Sequence, residues 1–129
     1  MLTEDYIIRM IRDMGKMLAR VLGSDGLEPE ETIEEWAERS SGDSLFLKEL
    51  YDLCDRGEIN RAENLLFEQL DFSDSTTLPI VLGFYQHLNG FSDKELEMGN
   101  YSREEIFEGL TDCAEQYGID PQLMPLNVV

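Results

Sequence analysis

The chain holds 129 residues, 28 Asp plus Glu against 10 Lys plus Arg, for a formal charge of −18, with 42% apolar and 9% aromatic positions. That length suits one domain whose core needs no metal or disulfide staple, and apolar residues this frequent and periodic exclude a disordered chain. A negative potential over most of the surface disfavours nucleic acid and anionic lipid as ligands and favours basic partners or dissolved cations.

The first element is predicted from about Thr3, a helix N-cap with Glu4 and Asp5 in its first turn, to Leu22 before Gly23. Tyr6, Ile7, Met10, Ile11, Met14, Met17, Leu18, Val21 and Leu22 recur at spacings of three and four, which writes a broad, methionine-rich stripe on one face. Residues 1–22 carry a net +1 and residues 23–129 a net −19, so the two parts are electrostatically complementary. Residues 23–29, with two glycines and a proline, are expected to form a hinge.

Pro29 suits the first turn of a second helix reaching about Arg39, with only Ile33, Trp36 and Ala37 to bury against Glu30, Glu31, Glu34, Glu35 and Glu38. Residues 40–44 then break the pattern and cap a third helix, about 45–56, ended by Gly57; a fourth follows from about Ile59 to Leu70. So short a turn forces these two helices into an antiparallel hairpin. A fifth helix carries Leu78, Ile80, Val81, Leu82, Phe84, Tyr85 and Leu88, with Pro79 tolerated in its first turn. Two capping boxes, Ser92 with Glu95 and Ser102 with Glu105, start a short turn to about Met98 and a last helix ended by Gly118. Residues 119–129 read as an apolar tail broken by Pro121 and Pro125.

The stretch Phe46 through Leu70, with Phe46, Leu50 and Leu53 before Gly57 and then Ala62 and Leu66, resembles one tetratricopeptide (TPR) unit. Three strings carry a wider resemblance: Glu4-Asp5-Tyr6-Ile7-Ile8-Arg9-Met10-Ile11, Gly57-Glu58-Ile59-Asn60-Arg61-Ala62-Glu63-Asn64 and Tyr101-Ser102-Arg103-Glu104-Glu105-Ile106. Through them the chain resembles uncharacterised proteins of similar length, mainly from Firmicutes, classed as a domain of unknown function. That resemblance implies an all-helical cytoplasmic protein and brings no activity, cofactor or catalytic residue.

The fold expected is a single all-α domain, 1–129, of five or six helices, arranged as an irregular bundle or TPR-like hairpin array around helices three and four. Chemistry is sparse. One His and two dispersed Cys cannot build a zinc site, no glycine run cradles phosphate, and Asp71-Phe72-Ser73-Asp74-Ser75 lacks the glycine and closing glutamate of a calcium loop. No metal or cofactor is expected. Cys54 and Cys113 read as reduced core thiols, with a disulfide between them left open, and the acidic N-terminus without a long apolar run points to the cytoplasm and to no membrane span.

His87 with a carboxylate such as Asp93, or a pair such as Glu104 and Glu108, would be the material of a small enzyme; regularly spaced carboxylates would suit a nucleic-acid mimic. The favoured reading is non-catalytic: a protein-interaction or self-associating module, with contacts from Ile7, Met10, Ile11, Met14, Met17 and Leu18 and with the acidic side chains of helix two steering a basic partner. The same stripe also fits simple core packing. Trp36 and Phe72 are read as core or loop packing.

Overall fold

In a computed structural model, residues 4–22 and 26–119 are described; seven α-helices and one 3₁₀ turn, without a strand, are present among them. The helices are α1 (Glu4–Leu22), α2 (Ile33–Ser40), α3 (Ser44–Asp55), α4 (Ile59–Gln69), α5 (Leu78–Asn89), α6 (Asp93–Met98) and α7 (Arg103–Gln116). The all-α class holds, and the short turn after Ser92 is itself a helix. The Thr3 cap and the tail from residue 120 lie outside the described residues, as does part of the 23–29 hinge.

Helix starts follow local chemistry. Both serine capping boxes form as the spacing predicts, Ser92 with Glu95 and Ser102 with Glu105. The second helix departs from expectation, because Pro29 lies in a turn and the helix begins at Ile33 under a third box, Thr32 with Glu35. Glu31 is drawn away from the helix start into a two-pronged contact with Arg39, 2.9 Å at each nitrogen, and Arg39 also donates to the Gly26 carbonyl at 3.0 Å. Asp43 caps α3 by accepting from the Phe46 amide at 3.0 Å.

The centre of the packing is α5 rather than the α3–α4 hairpin. Its apolar run leaves no polar face, and every residue from Leu78 to Asn89 is buried except His87, which is half-buried. Helices α1, α2, α3 and α7 all pack on it, while α4 packs on α3 across the Arg56–Glu58 turn. At Gly83 a side chain would meet Ala37 Cβ at 2.8 Å, Tyr51 Oη at 2.7 Å and Leu47 Cδ1 at 3.3 Å, so glycine there lets α2 and α3 close on α5 together. On the far side, buried Arg103 ties the end of α5 to α7, donating to the carbonyls of Asn89 at 2.8 Å and Phe91 at 2.7 Å and to Asp93 at 3.1 Å.

Candidate functional site

The methionine stripe of α1 points inward. Ile11, Met14 and Leu18 are wholly buried, and Ile7, Met10 and Met17 are partly buried against the same core. Two polar stitches reinforce the apolar contact: Gln86 donates to the Ile11 carbonyl at 3.0 Å and Asn89 to the Ile8 carbonyl at 2.9 Å. The face expected to receive a partner is occupied by the chain's own α5 and α7. Packing energy explains the outcome, since a stripe this wide gains most by covering the most apolar helix available.

Among the described residues, pockets of about 190 and 340 Å³ border α1 at Arg12 and Lys16 and at Ile7, and a larger open concave surface lies where α2 and α3 flank α5. A cleft of about 540 Å³ is bounded by Glu38 of α2, by Leu45, Lys48, Tyr51, Asp52 and Asp55 of α3, and by His87 of α5. Helical spacing lines up the α3 residues: 45, 48, 52 and 55 fall three and four apart along one face. Leu45 stands at its rim, 80% exposed in spite of its apolar side chain.

His87 forms the floor and touches both walls. Its ring stacks on Tyr51 with centroids 4.2 Å apart and planes 15° from parallel, while Phe91 meets it edge-on at 5.4 Å. Nε2 lies 2.7 Å from Asp55 Oδ1, a hydrogen bond, and Nδ1 lies 3.7 Å from Glu34 Oε2, an ion-pair contact too long for one. Burial draws the imidazole pKa down, but the contacts and charges of Glu34 and Asp55 outweigh it and hold the ring above its ordinary value. The Tyr51 hydroxyl is pushed up by burial and then by the charges of Glu34 and Glu38; its oxygen is buried without a hydrogen-bond partner among the described residues.

Asp93, the carboxylate that the catalytic alternative offered to His87 from six residues on, is engaged by Arg103. Asp55, Glu34 and Tyr51 were missed by sequence reasoning. Tyr51 and Asp55 stand one turn apart on α3, a signal of a shared face, but nothing local pairs that face with a residue 32 positions away. Glu104 and Glu108 are exposed on α7, Trp36 is fully buried, and Phe72 packs between Phe67 and Tyr117. Cys54 and Cys113 are free, buried thiols, each pushed up to about 12 chiefly by burial. Among the described residues no group of three or more His, Cys, Asp and Glu side chains is placed to hold a metal ion, and no helix is long and apolar enough to cross a membrane.

Chemically, the cleft offers carboxylates on both walls, an aromatic floor and an apolar rim. The described residues form an all-helical fold with a cleft lined by carboxylates, one lysine and aromatic rings. The chain belongs to a family of unknown function (DUF6483), whose profile matches residues 1–118. No curated protein and no solved structure matches it.

Proposed function

We propose that this protein is a non-catalytic interaction module that docks a basic segment of a protein partner in the cleft between α2 and α3. The observation that carries the reading is Leu45, 80% exposed on the rim of a cleft whose walls present three carboxylates, Glu38, Asp52 and Asp55, against one lysine, Lys48. An exposed leucine gains by being covered, and the surrounding carboxylates select a cover with lysine or arginine. The net −19 of residues 23–129 attracts such a segment to the protein's surface in general.

A catalytic reading would require His87 to take a proton from a substrate. Both ring nitrogens face carboxylates, Asp55 at 2.7 Å and Glu34 at 3.7 Å, which favours the reading of the ring as a charge partner.

The test is calorimetric titration with a synthetic peptide of alternating lysine and leucine, on the wild type and on Leu45→Asp. Burial of one leucine supports a loss of about tenfold or more in affinity for Leu45→Asp. Attraction to the acidic surface alone would run the other way, because the variant adds a negative charge. Equal or tighter binding by Leu45→Asp, or no binding by the wild type, overturns the reading; a wild type that self-associates through this face and excludes the peptide replaces the basic partner with a twin chain.

A further inference from the structure

The floor of the cleft holds the chain's single histidine, and its two flanking carboxylates come from different helices, Glu34 from α2 and Asp55 from α3. Those two helices make few direct contacts with each other, so His87 is the polar link between the walls. Its surroundings are well defined. From α2 it meets Glu34, with Glu38 further along; from α3, Tyr51 and Asp55, with Lys48 and Asp52 further along. From α1, Arg12 and Lys16 reach a neighbouring pocket that Glu34 also lines. The ring's side chain is 19% exposed, so protons and a small cationic group both reach it.

We propose that His87 is a proton-operated counter-ion in this cleft: neutral, it yields Asp55 to a lysine or arginine of the partner, and protonated, it takes that carboxylate back, with Glu34 at its other nitrogen adding to the hold. The inference rests on the docking reading above and adds its regulation. An imidazolium and a partner's ammonium or guanidinium compete for Asp55, and like charges at this separation repel. Neutral His87 keeps its stacking on Tyr51 and leaves the aromatic floor in place for the aliphatic stem of the incoming side chain. Protons and partner are therefore antagonists at one site, with the exchange set near neutral pH because histidine is the side chain that titrates there.

The experiment uses the same lysine–leucine peptide with an acetylated N-terminus, so that its charge is constant over the range, at about pH 5.5 and about pH 8.5 and at fixed salt. The wild type binds about tenfold more tightly at the higher pH, and in His87→Gln the two affinities become equal. Linkage supplies a second readout that needs no variant: saturating peptide lowers the midpoint at which the His87 ring titrates by NMR. Peptide binding that is independent of pH, a pH dependence that survives His87→Gln, or a ring midpoint unmoved by peptide overturns the counter-ion role and leaves the docking reading standing. A wild type that binds the peptide at neither pH overturns both.

Discussion

The side-chain amide of Gln86 donates to the main-chain carbonyl of Ile11 across 3.0 Å, between the last turn of α5 and the middle of α1. The approach is open only because Gly15 stands beside it: a Cβ there would lie 2.4 Å from Gln86 Nε2. Glycine inside a helix costs about 1 kcal/mol relative to alanine, so α1 accepts a weaker helix in exchange for a buried hydrogen bond to the core.

That coupling is measurable as a double-mutant cycle. Gln86→Ala is expected to cost about 1–2 kcal/mol in the wild type and close to nothing in a Gly15→Ala background, where the added methyl has already displaced the amide. Gly15→Ala alone should lower stability in denaturant unfolding although alanine is the better helix former. Additive losses would mean that the contact is incidental.

Gly83 is expected to be less tolerant still. Its prospective neighbour Ala37 Cβ, at 2.8 Å, is fixed to the α2 backbone and cannot swing aside as a side-chain tip would. Gly83→Ala should therefore cost about 2–3 kcal/mol by forcing α2 away from α5, read from the denaturation midpoint at unchanged slope. The same displacement pulls Glu38 back from the cleft and Glu34 away from His87, so peptide affinity should fall with it.

What the sequence disclosed divides by range. Ser92 with Glu95 and Ser102 with Glu105 were legible because a capping box is closed within four residues, as was the narrow edge of α2, where Ile33, Trp36 and Ala37 are its buried residues. Thr32 with Glu35 was hidden behind the stronger helix-start signal of Pro29. The α1 stripe was visible as apolar, but which helix covers it depends on the competition among apolar faces, and that is settled by α5, whose buried residues run all round. The cleft was the least legible part. The Asp55–His87 contact joins α3 to α5 through an interhelical register that no local spacing encodes, and Asp93, the nearer carboxylate in sequence, is claimed by Arg103.

The His87 contacts carry a stability signature. Its folded value lies above the ordinary one, so the stabilisation from Asp55 and Glu34 is fully present below about pH 6.5 and is lost as pH rises through the folded value. Thermal unfolding of the wild type should weaken across that interval, and His87→Gln should flatten the dependence. A wild type that gains stability over the same rise would contradict the ion pairing.

A second pH effect belongs to the core. Tyr85 and Tyr101 both donate to Glu63 Oε2 at 2.8 Å, and burial first, then the charge of nearby groups including Glu63, raises both hydroxyls well beyond their ordinary range. Burial also pushes Tyr117 up to about 12. Raised values stabilise the fold below about pH 10, and that stabilisation is lost as pH climbs above it. Tyrosinate absorbance from these rings should therefore rise together with the loss of helical circular dichroism, in one alkaline transition. Ionisation of Tyr85 and Tyr101 in a still-folded chain would contradict the buried network.

The location of the docking surface is tested most directly by an amide chemical-shift map of the uniformly labelled protein during titration with the lysine–leucine peptide. The account predicts shifts concentrated at Glu38, Leu45, Lys48, Tyr51, Asp55 and His87, with Ile11, Met14 and Leu18 unmoved. Shifts centred on α1, or spread evenly over the acidic surface, would contradict it.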